Sequence, residues 1–228
     1  MSYLLRAAFA AIVFLLSSTS VTTHAASLWF GDEDYLRRFD PVTLQITLRL
    51  TLNDLGDTQA LAPDAEDNSL WLLTDERLLK YDAAGAVALR LSYSQLGMGD
   101  DDDDGAGLLL DPYDRSIWLV SGSTLLHLDN RGNRLSKTAL PAPARAAALA
   151  LSERVWVLGD RVLWQYSAQG ALLARHDLRQ LMQDEPKRLA IDSISGKIWL
   201  AGDKQLLQFT PAYSGPLRQD NNTSSLRG

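Results

Sequence analysis

Carboxylates are the side chains in this sequence with the clearest chemical potential. The stretch GMGDDDDDGAGLLLD, Gly97 to Asp111, carries five consecutive aspartates, Asp100 to Asp104. With Asp100 as position one, Asp102 and Asp104 fall at three and five, Gly105 at six and Asp111 at twelve. That is close to the spacing of a calcium-binding loop, and hard divalent cations do take oxygen ligands. Other chemistry is scarce. Cysteine is absent, which removes disulfides, thiolate metal sites and cysteine nucleophiles. His127 and His176 stand in no metal-ligand or triad constellation, and no G-x-S-x-G serine is present. A net charge of −6 argues against nucleic-acid phosphate as a partner, since that contact needs clustered Lys and Arg.

The elements that must hold these residues come from an internal repeat. Five boxes align without a gap: SLWFGDEDYLRRFD, SLWLLTDERLLKYD, SIWLVSGSTLLHLD, RVWVLGDRVLWQYS and KIWLAGDKQLLQFT. Their tryptophans are Trp29, Trp71, Trp118, Trp156 and Trp199, at intervals of 42, 47, 38 and 43. Seven residues after each Trp stands a leucine, Leu36, Leu78, Leu125, Leu163 or Leu206. The apolar run around Trp is too short for a helix and rich in β formers, so it predicts a strand buried on both faces. A turn, a second strand, a polar turn such as DAAG, DNRG or SAQG, and a third strand follow. Upstream lies another strand ending in Asp64, Asp111 or Asp192, seven residues before its Trp.

Each unit is thus four antiparallel strands in about 42 residues. Blades that bury their apolar faces only against neighbouring blades define a β-propeller. The expected fold is all-β: a propeller of about five four-stranded blades over residues 26–210, closed if the tail supplies a poor strand, and otherwise incomplete or part of a larger propeller. The strand count is three, then three sets of four, then three, and truncation is the favoured reading of that shortfall. The recurring tryptophans are expected to pack between blades, with Trp164 filling core in place of a leucine.

Alignment also places the carboxylates. Turns joining strands two and three share a face with the links between blades. They hold Asp32, Glu33, Asp34, Asp75, Glu76, Asp160 and Asp203, and the links hold Asp54, Asp57, Asp100 to Asp104, Asp184 and Glu185. One acidic face is expected. Asp57, Asp104 and Glu185 each lie fourteen residues before their Trp, at the lead-in to the innermost strand. Carboxylates there would converge on a divalent cation such as calcium, or simply keep the face soluble. Asp111, by contrast, is the strand-end Asp of its repeat, which removes the twelfth ligand from the calcium-loop match.

The N-terminus has Arg6, an apolar core from Ala7 to Leu16, and Thr23-His24-Ala25 before a cut after Ala25. This layout predicts a signal peptide over residues 1–25 and export to the periplasm or beyond. The apolar core is too short to span a bilayer. Residues 211–228 read as a polar, disordered tail.

The units LLLDPYDRSIWLV and LAIDSISGKIWLA, followed by LLHLDNRG and LLQFT, resemble NHL-like and virginiamycin-B-lyase-like propellers and the repeats of sensor-type periplasmic propellers. The resemblance to the lyase implies a catalytic histidine and a divalent metal at the centre of one face. This sequence departs from that pattern: His127 falls where other repeats carry Arg38, Lys80, Gln165 and Gln208, a register expected to face solvent. The expectation is an exported, non-catalytic binding or scaffold module whose acidic face takes a cation, a basic protein or a cell-envelope component. The alternative is a metal-dependent lyase or lactone hydrolase of the six-bladed type.

Overall fold

The computed structural model describes residues 28–31, 35–52, 57–98, 105–150, 154–192 and 195–210. The expected leader 1–25, the tail 211–228 and Asp100 to Asp104 lie outside the described residues, as do Asp32, Glu33, Asp34 and Asp54. Within them the chain forms five separate antiparallel sheets and one turn of helix. Sheet 1 holds β1 (Leu28–Gly31), β2 (Tyr35–Phe39) and β3 (Ile46–Thr51). Sheet 2 holds β4 (Thr58–Pro63), β5 (Leu70–Thr74), β6 (Arg77–Tyr81) and β7 (Val87–Ser92). Sheet 3 holds β8 (Gly105–Leu110), β9 (Ile117–Ser121), β10 (Thr124–Leu128) and β11 (Arg134–Ala139). Sheet 4 holds β12 (Ala146–Ala150), β13 (Arg154–Gly159), β14 (Val162–Tyr166) and β15 (Leu172–Asp177). Sheet 5 holds β16 (Arg188–Ile191), β17 (Ile198–Ala201) and β18 (Leu206–Phe209). Strands neighbour one another in chain order within each sheet, as the repeats predict.

Successive side chains of a strand point to opposite faces, and each Trp strand uses both. In β5, Leu70 and Leu72 enter a core shared with sheet 1, whereas Trp71 and Leu73 enter one shared with sheet 3. In β9, Ile117 and Leu119 face sheet 2, and Trp118 and Val120 face sheet 4. In β13, Val155 and Val157 face sheet 3, and Trp156 and Leu158 face sheet 5. Four cores result, each between consecutive sheets and each made the same way round: the Trp face of one sheet meets the Trp−1 and Trp+1 residues of the next. The recurring Leu36, Leu78, Leu125 and Leu163 are wholly buried beside their tryptophans. Trp164 fills core as expected, over Gly159, where an added Cβ would come within 2.4 Å of its ring.

Turn chemistry explains why the strands stop where they do. Asp64, Asp111 and Asp192 each accept a hydrogen bond at Oδ1 from a backbone N–H two or three residues on: Glu66 at 3.0 Å, Tyr113 at 2.8 Å and Ser195 at 3.2 Å. Carboxylates that cap their own turn in this way give its backbone N–H groups an acceptor as the hairpin closes. At the other hairpin, Asp82, Asp129 and Ser167 play the same part, and Gly85, Gly132 and Gly170 adopt positive φ. Those glycines also seat against the outer strand of the preceding sheet. A Cβ on Gly132 would meet Leu89 at 2.6 Å, and one on Gly170 would meet Thr138 Oγ1 at 2.3 Å.

One element departs from the sequence expectation. The third strand expected after the DAAG turn, the β-rich run AVALRLSY, ends at Ser92, and α1 (Tyr93–Leu96) follows. Ser92 and Gln95 form a reciprocal capping box, and Gly97 closes the turn in the left-handed region. Burial holds this short turn in place: Tyr93, Leu96 and Met98 sit in the core between sheets 2 and 3, and the Tyr93 hydroxyl donates to the Thr74 carbonyl at 2.7 Å.

Candidate functional site

The expected carboxylate trio is placed in three different settings. Asp57 stands exposed just before β4; its N–H donates to Asp75 Oδ1 at 2.9 Å and its carbonyl accepts from Asp75 N–H at 3.1 Å. Glu185 leads into β16 and is ion-paired with Arg145, which leads into β12 of the preceding sheet. Asp104 lies outside the described residues. Among the described residues no three His, Cys, Asp or Glu side chains are placed to hold a metal ion.

Links and strand two-to-three turns do share an edge, as the alignment requires. Asp57 meets Asp75 there, and Lys187 meets Asp203 at 2.8 Å. Asp184 Oδ2 accepts from the Lys204 N–H at 2.8 Å, and that backbone bond holds its carboxyl below the ordinary carboxylate range. The Gln205 side chain accepts from Gln183 N–H at 2.7 Å, and Arg161 reaches the Gln183 carbonyl at 3.2 Å. Asp75 and Asp184 on this edge are thus fixed by main-chain donors, whereas Glu76, Glu185 and Asp203 pair with Arg77, Arg145 and Lys187.

A second polar cluster lies on the opposite edge, outside the sequence expectation. Arg115 in the β8–β9 turn reaches back to the β4–β5 turn of sheet 2, placing Nε 2.6 Å from Asp64 Oδ2 and a second nitrogen on Asp67. Glu66 stands 3.7 Å away. Asp64 is buried, at 4% exposure, so its charge needs this partner. Burial works against the Arg115 charge, but hydrogen bonds to Asp64 and Asp67 outweigh it and strengthen the guanidinium as a base. For Asp67 burial likewise opposes ionisation, and hydrogen bonds from Ser69 and Arg115 carry its carboxyl below the usual value. Arg115 holds this position at φ +61°, a conformation that costs a side-chain-bearing residue about 1 kcal/mol. A signal existed: Trp−3 is occupied by Asn68 and Gly196 in sheets 2 and 5, residues that tolerate positive φ, so an arginine there is anomalous.

The third feature corrects the reading of His127. It does not face solvent. It is 6% exposed and stacks on Trp118 with ring centroids 3.9 Å apart and planes 6° from parallel. Its Nδ1–H donates to the Ala168 carbonyl of sheet 4 at 3.1 Å. Its counterparts behave alike. Arg38 lies over Trp29 and donates to the Ala83 carbonyl at 3.0 Å; Lys80 lies over Trp71 and donates to the Asn130 carbonyl at 3.3 Å. In sheets 1 to 3 the residue opposite Trp is therefore a latch onto the hairpin turn of the next sheet. His176 sits in the outer strand β15, as read from the sequence, with its ring 5.7 Å from Trp156.

Two surface clefts lie at these latches. One of about 550 Å³, between sheets 2 and 3, is bordered by Asp67, Lys80, Asp82, Leu89 and Arg131. The other, of about 270 Å³, lies between sheets 1 and 2 beside Arg38, Asp40 and Asn68. Both are open troughs bordered by the residues that join the sheets. No helix of the described residues is long and apolar enough to cross a membrane.

No family model matches the chain, and no curated protein matches it. Among solved structures it is similar to a protein of unknown function from Bacteroides caccae, with a TM-score of 0.61 and 15% identity over 81% of this chain and 69% of that one. At that identity the likeness speaks for the arrangement of sheets alone.

Proposed function

We propose that the chain is an exported, non-catalytic β-propeller of about five blades, acting as a binding or scaffold module whose acidic link edge receives a basic partner or a divalent cation. Five sheets joined by four equivalent cores support the propeller reading. So do the small residues where the innermost strands converge: a Cβ on Gly107 of β8 would already touch Ala147 of β12 at 3.4 Å. The leader layout of residues 1–25 supports export.

One observation carries the binding reading. Asp75 and Asp184 on the link edge are oriented by backbone N–H donors rather than by exposed, mobile cations. A carboxylate already held in place loses little side-chain entropy when a cation docks. The Arg77–Glu76 and Lys187–Asp203 pairs on the same edge are exposed and so exchange readily with a competing cation. The polar groups buried elsewhere, Arg115 with Asp64 and the His127 latch, are committed to joining sheets.

Thermal melting with calcium, and separately with an oligolysine peptide, tests this. A specific site raises the melting temperature as ligand exceeds its dissociation constant. The peptide effect should fade with salt, and Asp57→Ala with Asp203→Asn should weaken both responses. No shift with either cation, or chelator-sensitive turnover of a lactone or cyclic ester, would sink the proposal; the second result would establish the lyase or hydrolase alternative.

A further inference from the structure

The four inner cores are all built by one rule, and applying the rule to the two end sheets leaves one half-interface at each. Sheet 5 has a Trp face with no sheet after it among the described residues. Trp199 is 36% exposed and Leu206 is 67% exposed, whereas their counterparts in the other sheets lie between 0% and 5%. Sheet 1 has the matching receiving face. Leu28 and Phe30 hold the Trp−1 and Trp+1 registers that in sheets 2 to 5 are occupied by Leu70 and Leu72, Ile117 and Leu119, Val155 and Val157, and Ile198 and Leu200. Leu28 and Phe30 are only partly buried, whereas those counterparts are wholly buried.

The details that accompany the inner cores are also split between the two ends. Gln208 stands opposite Trp199 in the latch register and offers an amide donor. The carbonyl at the matching place in the sheet 1 turn is that of Pro41, twelve residues after Trp29, and an acceptor there needs no N–H of its own. Inside the stack, each hairpin turn carries a glycine because it seats against the outer strand of the sheet before it. The sheet 1 turn is bulkier instead, with Val42 85% and Leu44 65% exposed. That bulk suits sheet 5, which among the described residues has three strands and leaves the outer position open.

We infer that the Trp199 face of sheet 5 docks on the Leu28–Phe30 face of sheet 1 in a second copy of this chain, head to tail, continuing the interface already repeated four times within one copy. Among the described residues the two faces do not cover each other inside one copy, since Trp199 and Leu206 remain exposed and Leu28 and Phe30 are only partly buried. Such an interface is heterologous, so copies add in series until a ring closes or the array stays open.

Sedimentation velocity over a concentration series is the test, with Trp199→Asp and Phe30→Asp made separately. The wild type should grow in mean mass with concentration, and each variant alone should stay monomeric. An equimolar mixture of the two should give a 1:1 dimer and nothing larger, because each variant keeps the face the other has lost. Should Phe30→Asp lower stability, single cysteines at Leu206 in one copy and Phe30 in another replace it; the chain has none of its own, and oxidation should join the two copies. A wild type that stays monomeric at every concentration overturns the inference, as does a variant mixture that stays monomeric. Association seen only after removal of residues 211–228 also overturns it, by making that segment the occupant.

Discussion

β9 and β17 are spelled almost alike, Ile117-Trp118-Leu119-Val120 against Ile198-Trp199-Leu200-Ala201, yet only the first is buried on both faces. Ile198 and Leu200 are as deeply buried as Ile117 and Leu119, because both pairs face a preceding sheet. Trp118 has a following sheet and is 1% exposed; Trp199 has none among the described residues and is 36% exposed. The repeat therefore encodes one side of a joint at each register. Burial comes from the neighbour, as in any quasi-one-dimensional array.

The largest test of that contrast is truncation. Trp118→Ala should remove about 3–5 kcal/mol from the sheets it joins, seen as a large fall in the urea midpoint. Next comes the clasp between sheets 2 and 3. Arg115→Leu leaves the buried Asp64 carboxylate without its partner and should cost about 3 kcal/mol by the same measurement. Sheet 5 lies outside that clasp, so the loss should not appear in a probe placed there.

Acid sharpens the clasp prediction. The folded-state value of Asp67 is depressed, so its contribution is fully present above its ordinary value of 3.8 and is lost as pH falls through the lower folded value. Wild-type melting temperature should thus drop as pH descends below about 4, and Arg115→Leu should show a shallower drop over that window. Equal slopes would mean that the clasp is not what lowers Asp67.

A smaller effect is expected at the latch. His127→Ala should cost about 1 kcal/mol for the lost hydrogen bond and ring contact, whereas His127→Lys should recover much of it because Lys80 serves the same register in sheet 2. The smallest belongs to the open end. Trp199→Ala should move the stability of a dilute sample by under about 0.5 kcal/mol, the ordinary range for a surface change.

Much of the fold is legible because a period of about 42 residues places Trp, Leu and the strand-end Asp in register. Those three positions set strand, core and turn by local rules, and Asp64, Asp111 and Asp192 cap their turns as such rules require. Topology alone puts links and strand two-to-three turns on one edge, so the meeting of Asp57 with Asp75 follows from counting strands. What escapes is contact between sheets. Arg115 meets Asp64 across 51 residues, and nothing local announces that pairing except an arginine at a positive-φ register. His127 reads as a surface residue because its register is polar in every repeat. Arg38, Lys80 and His127 are latches, and only the stacking of sheets shows it. The α1 turn had a local signal, Ser92 and Gln95 in capping-box spacing, overshadowed by the β-rich run before it.

The one-way joint between sheets is read most directly from how exposed Trp199 is. Acrylamide quenching of tryptophan fluorescence, comparing the wild type with Trp199→Phe across a dilution series, measures that. At high dilution the wild type should show an accessible component that the variant lacks, and this component should shrink as concentration rises and copies dock. Identical quenching of the two proteins at every concentration would contradict the open sheet 5 face and the one-way joint from which it is derived.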